Sequence, residues 1–192
     1  MPTSQKQPAK QSMKRRILET ADQLFHLQGI RAVGVDTIAA EIGISKRTLY
    51  NHFPSKDQLV AAYLEGRFSA IPPSDRPPAE QILRSFERLE RGFASKDVRG
   101  CPFVNAVTEV GATDPQVRKI SKAFKESRRQ WFCNQVTKLG VENPELLATQ
   151  LAVLVDGAIA QNLVRRDRSV AGAAQDVARL LLANAGVKLP DA

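Results

Sequence analysis

After Ser12, apolar residues fall at helical spacing at Ile17, Ala21, Leu24 and Phe25 and stop at Gly29, which predicts a first amphipathic helix. A second, short helix is predicted over 35–42, with Ile38 and Ile42 four apart and Gly43 free to take the left-handed turn that ends it. Ser45 is a good N-cap for a third helix running to Phe53, with Leu49 and Phe53 inward, and Pro54 stops it. Ser55 to Gln58 reads S-x-x-Q, a capping box ahead of a fourth helix carrying Leu59, Val60, Tyr63 and Leu64. Four prolines in FSAIPPSDRPPAE forbid a continuous helix and mark a linker. Five further helices are predicted at 80–96, 102–112, 115–140, 144–167 and 170–185. Ile82, Phe86, Leu89 and Phe93 face inward on the first of them, and Val117, Ile120, Phe124, Trp131 and Val136 on the third. No strand pattern or repeat is found, so the fold class is all-α with about nine helices. The chain divides into a flexible basic tail at 1–11, a helix-turn-helix DNA-binding domain with its connecting helix at 12–66, a Pro-rich linker at 67–79, and a larger C-terminal helical bundle at 80–192 for ligand binding and dimerisation.

The stretch IAAEIGISKRTLYNHFPSKDQL has the requirements of a helix-turn-helix: small Ala39 at the crossing, Gly43 at the turn, and Ile38, Ile42, Ile44 and Leu49 on the inner face. An ordinary helical hairpin would pack the same way, so the outer face decides. It carries Lys46, Arg47, Tyr50 and Asn51, and no acidic residue stands between Glu41 and Asp57. Arg and Asn suit paired contacts to guanine and adenine, which assigns this face to the major groove. Ser45, Thr48 and His52 are candidate DNA contacts beside it. Lys56 opposes the macrodipole in the first turn of its helix, an arrangement that a docked phosphate would reverse in sign.

GVDTIAAEIGISKRTLYNHFPSKDQL resembles the DNA-binding signature of the TetR family of bacterial transcriptional regulators, a similarity covering residues 16–63 together with the helix order. The resemblance implies three DNA-binding helices, a connecting fourth, and a homodimer acting as a ligand-responsive repressor on a palindromic double-stranded DNA operator, released by a small-molecule effector. Gly34 departs from the Thr or Ser that many members carry there, so no phosphate role is given to it. In the C-terminal part, helix 144–167 is apolar or small nearly all round. With helix 170–185 it is expected to form a four-helix dimer interface through Leu151, Val155, Ile159, Val177 and Leu181, against the alternative of a purely intrachain core. Phe86, Phe103, Trp131, Phe132 and Leu154 are candidate pocket residues, with Asn105 and Asn162 as orienting polar groups. RGCPFVNA resembles a segment that begins the sixth helix near the pocket in one branch of the family.

Composition narrows the remaining classes. The chain has 192 residues, 43% apolar and 25% charged, within the globular range. No apolar run approaches the roughly 20 residues of a bilayer span, and the basic N-terminus lacks a signal-type apolar stretch, so a cytoplasmic protein without membrane association is expected. The net charge of +8 favours a polyanionic partner. Cys101 and Cys133 lack metal-site spacing and are either buried free thiols or a redox pair, which would need Cα atoms within about 7 Å. No nucleophile–base pair, metal-ligand spacing or Gly-rich phosphate loop is present, so neither enzyme activity, a cofactor nor a metal is expected.

Overall fold

The computed structural model describes residues 12–189. The basic tail predicted at 1–11 lies outside the described residues. Those residues form nine helices and no sheet: α1 (Met13–Gln28), α2 (Val35–Ile42), α3 (Lys46–His52), α4 (Lys56–Arg67), α5 (Pro78–Phe93), α6 (Pro102–Val110), α7 (Pro115–Lys138), α8 (Pro144–Arg165) and α9 (Val170–Asn184).

The N-terminal ends follow from local chemistry. The Ser12, Ser45 and Ser55 hydroxyls accept from the backbone N–H groups of Arg15, Thr48 and Gln58, satisfying donors that the first turn leaves unpaired. At Ser55 only half of the capping box forms, because no return bond from the Gln58 side chain is made. Gly43 adopts φ 74°, ψ 38°, so the chain turns between α2 and α3 at a conformation that costs other residues more. Pro78, Pro102, Pro115 and Pro144 each begin a helix, where the missing N–H goes unneeded. For α5 this moves the start two residues ahead of the sequence expectation, and the helix ends earlier, at Phe93. α6, α7 and α8 each end two residues short, α8 because Arg166 turns left-handed at φ 55°.

Two hydrophobic clusters organise the molecule, and they do not divide at the Pro-rich linker. The first joins Ile17, Phe25, Ile38, Leu49, Leu59 and Leu64 of α1–α4 to Phe103 and Ala106 of α6 and to Val117 and Ile120 of α7. The second is built from α5, the C-terminal half of α7, α8 and α9, around Phe86, Phe132, Val136, Leu151 and Leu182. Full burial of each such side chain contributes about 1.5–3 kcal/mol. The 24 residues of α7, roughly 36 Å at 1.5 Å per residue, run through both clusters. Two expected inward residues of α7, Phe124 and Trp131, are only half-buried, as is Leu89 of α5.

α8 corrects one sequence expectation. By length and composition it would suffice to cross a membrane. Here one stripe of it, Leu147, Ala148, Leu151, Val155, Ala158 and Asn162, is buried against the rest of the chain, Asp156 pairs with Lys125 of α7 at 2.6 Å, and about a third of its apolar stretch is buried. Cys101 and Cys133 are free and buried, one in each cluster. Burial and a hydrogen bond to Glu145 raise the pKa of the Cys133 thiol.

Candidate DNA-binding face and inner cavity

α3 owes its position to Leu49 and Phe53, which are 0% and 4% exposed and pin one side of the helix into the first cluster. The opposite side then faces solvent. Ser45, Lys46, Arg47, Tyr50, Asn51 and His52 are all exposed, while Thr48 is half-buried. The side chains of Arg47, Tyr50, Asn51 and His52 make no hydrogen bond with any described residue, so their donors and acceptors are available. Lys46 donates to Asp36 of α2 at 2.9 Å, which raises the lysine pKa by hydrogen bonding and charge. The pair is open to water, where such contacts are weak and readily exchanged for another anion. The Ser45 and Thr48 hydroxyls lie 2.9 Å apart and hold each other at the start of the helix.

Lys56 is placed differently from expectation. Its ammonium donates to the Ile30 carbonyl at 2.6 Å and lies 6.0 Å from the centre of the Phe25 ring. Partial burial lowers its pKa. Lys56 opens α4, and in this arrangement its side chain braces α4 against the turn after α1 through the Ile30 carbonyl.

That turn is also where the C-terminal helices grip the N-terminal ones. Glu109 of α6 accepts from the Arg31 N–H at 2.9 Å. His26 Nε2 lies 2.9 Å from the Asp97 carbonyl, and Arg99 donates to the Leu27 carbonyl. Arg67, at the end of α4, makes a bidentate pair with Asp22 of α1 at 2.5 and 2.8 Å. Sequence reasoning missed all of these, because each joins residues tens of positions apart.

Between α4, α5, α6, α7 and α8 lie three adjoining cavities. One of about 430 Å³ is bordered by Arg67, Ile71, Phe103, Phe124 and Arg128. A second of about 160 Å³ shares Arg128 and reaches Phe132 and Val155. The third, about 310 Å³, extends to His26 and Asp97. Arg88 borders all three. Of the predicted pocket residues, Phe103 and Phe132 line this space. Phe86 is wholly buried in the second cluster. Asn105 braces the preceding loop by donating to the Arg99 carbonyl at 2.7 Å. Trp131 packs edge-on against Phe132 with ring centres 5.0 Å apart. Leu154 and the buried Asn162 also border none of the three cavities. Ile159, predicted for a dimer interface, borders two of them.

Of the other predicted interface residues, Leu151 and Val155 are 0% and 3% exposed within the single chain. They are core residues, whereas Leu181 is half-buried and Val177 exposed. The large apolar side chains left facing outward on the same two helices are Leu146, Val153, Val164, Val177 and Leu180.

A helix-turn-helix with an uncommitted polar outer face, joined to a helical bundle that holds a cavity, defines a DNA-binding regulator. Comparison with known proteins agrees. Residues 17–63 match the family described as bacterial regulatory proteins, tetR family. A TetR-type transcriptional regulator from Streptomyces avermitilis superposes with a TM-score of 0.83 at 33% identity, over 93% of this chain and 100% of that one. A TetR-family transcriptional regulator from Streptomyces coelicolor gives 0.80 at 28% identity, covering 88% and 94%. The HTH-type transcriptional repressor KstR2 of Mycobacterium tuberculosis is 29% identical over 148 residues, 70% of this chain and 72% of its own. The chain belongs to the TetR family of transcriptional regulators.

Proposed function

We propose that this regulator is a repressor that binds a palindromic operator as a homodimer and leaves it when a small molecule enters the cavities beside α4. The observation that carries the DNA reading is the outer face of α3, where the side chains of Arg47, Tyr50 and Asn51 are exposed and make no internal hydrogen bond. These three are the base-reading candidates, and Lys46, Ser45, Thr48 and His52 are candidate phosphate contacts. Lys56 is left out of that set, since its ammonium is engaged by Ile30. The similarity to a relative named as a repressor favours repression over activation.

The proposed dimer surface consists of outward stripes rather than the buried residues of the same helices. On α8, Leu146, Val153, Gly157, Ala160 and Val164 are exposed at helical spacing; on α9, Ala173, Val177 and Leu180 are. Small Gly157 and Ala160 let a second helix approach closely, and the stripes repeat on both copies as a two-fold interface requires. The Arg67–Asp22 pair connects the proposed effector site to DNA binding, because Arg67 borders the largest of the three cavities while holding α1. A ligand that favours a different set of this guanidinium would tilt the N-terminal helices and alter the half-site spacing of about 34 Å.

The test is fluorescence anisotropy on labelled DNA from fragments selected by the protein out of genomic DNA, titrated with unrelated competitor at fixed salt. Retained binding at two chains per site upholds the reading. Complete loss to competitor for every selected fragment rejects it in favour of a non-specific binder.

A further inference from the structure

Two arginines that border the cavities, Arg88 and Arg128, lack the close carboxylate partner that several other arginines have, Arg67 at the cavity edge among them. Arg15, Arg67, Arg76, Arg84 and Arg129 each meet a carboxylate within 3.2 Å. Arg88, which borders all three cavities, has no ion pair or hydrogen bond among the described residues, and burial together with Arg91 and Arg84 lowers its pKa. Arg128 is more constrained. Its guanidinium lies over the Phe124 ring at 5.0 Å, and its Nη1 is buried without a hydrogen-bond partner among the described residues. Asp156 Oδ1 is 3.9 Å from Nη1, beyond hydrogen-bonding reach, and Lys125 already claims that oxygen at 2.6 Å. A buried cationic donor without an acceptor is costly, and it persists where something else supplies the acceptor.

The walls say what that acceptor is attached to. The two cavities that share Arg88 and Arg128 contain no Asp or Glu, and apart from Arg67 and two serines their side chains are apolar or small, including Ile71, Phe103, Phe124, Phe132 and Val155. An arginine fork whose nearest protein carboxylate, Asp156, stays outside hydrogen-bonding reach selects planar anions, which it can bind through two parallel N–H bonds. The low-dielectric wall strengthens that attraction and accepts a hydrocarbon body. We infer that the effector is an amphipathic carboxylic acid, its carboxylate held by Arg128 and Arg88 and its apolar part lying against Phe103, Phe124 and Phe132. This rests on the proposal that these cavities form the effector site, and it adds the chemical class.

Isothermal titration calorimetry of the full-length protein near neutral pH tests it, with decanoate and 2-naphthoate as flexible and flat acids and decanamide and 2-naphthamide as their neutral counterparts. At least one acid should bind once per chain, with its amide at least about tenfold weaker, a difference of roughly 1.4 kcal/mol. Arg128→Gln and Arg88→Gln should each weaken the acid by about that factor and leave the amide unchanged. Arg88 is exposed, so its variant judges the idea even where Arg128→Gln unfolds the protein. Absence of binding by both acids, amides that bind as tightly as the acids, or equal losses for acid and amide would each overturn the inference. The protein–DNA complex then separates the two readings. An acid that binds through the arginines but releases no DNA keeps the site and removes its role as trigger. DNA binding that is intact while no acid binds removes the site and leaves operator recognition standing.

Discussion

Arg47 and Arg128 bring the same guanidinium to opposite situations. On α3, Arg47 stands in water beside Lys46, Tyr50 and Asn51, neighbours in sequence that share a face because a helix puts them there. Around the cavities, Arg67, Arg88 and Arg128 come from α4, α5 and α7 and meet only in the folded chain. The exposed group costs the fold little and is screened by salt, so its energy is available for binding. The enclosed group interacts more strongly but must be compensated, which ties ligand preference to stability. The outer face can be altered without harm to the fold, as can exposed Arg88 at the cavity edge; Arg128 and the aromatic wall cannot.

The sharpest challenge to that contrast is Phe103→Ala. Phe103 is 1% exposed, lies 3.8 Å from the Phe124 ring in a stacked pair, and walls the largest of the three cavities. It should cost about 3–5 kcal/mol in urea unfolding, since both transfer energy and packing are lost; a loss below about 1 kcal/mol would show that the inner wall is as tolerant as the outer face. Tyr63 gives the next largest effect. Burial pushes its pKa up to about 12, with Arg67 opposing in part. The unfolded chain ionises this phenol near pH 10 while the folded chain keeps it protonated, so the folded state is penalised as pH rises through that window. Stability should fall by about 2–3 kcal/mol between pH 10 and 12 from this group, and Tyr63→Phe should remove that part of the slope.

Lys56→Ala probes a residue that resembles the outer set in sequence but behaves as an inner one. Losing its bond to Ile30 should lower stability by about 1.5–3 kcal/mol and leave the salt dependence of DNA binding nearly unchanged. A flattened salt slope at unaltered stability would return Lys56 to the phosphate contacts. Arg47→Ala should do the reverse, reducing operator preference by about 1–3 kcal/mol in competition anisotropy with thermal unfolding unmoved.

What could be read in the sequence follows the same division. The ends of α2 and both caps of α3 were legible because Gly43, Ser45 and Pro54 act on the backbone within a few residues of themselves. The outer face of α3 was legible because Leu49 and Phe53 orient the helix and the remaining positions follow from its period. The cavity was legible only in part, through Phe103 and Phe132; its arginines were not, because Arg67, Arg88 and Arg128 come from three helices and meet only in the folded chain. Phe86 and Leu151 show the converse failure: apolar periodicity says that a face is buried but not against what, so core, pocket wall and partner surface share one pattern. Composition along α8 could not separate the buried stripe through Leu151 and Val155 from the exposed one through Val153 and Gly157 either.

The first hydrophobic cluster crosses the Pro-rich linker, with Phe68 just beyond α4 set edge-on against Phe103 and Phe124 at 6.3 and 5.5 Å. The DNA-reading unit is therefore not a detachable head. A chimera spliced at residue 66 onto another sensor would inherit apolar surface shaped for α6 and the start of α7, and it should be recovered largely insoluble. Carrying the matching faces of those two helices into the new host should restore soluble yield, so the unit of exchange among such regulators is a surface drawn from both halves of the chain, not a stretch of gene.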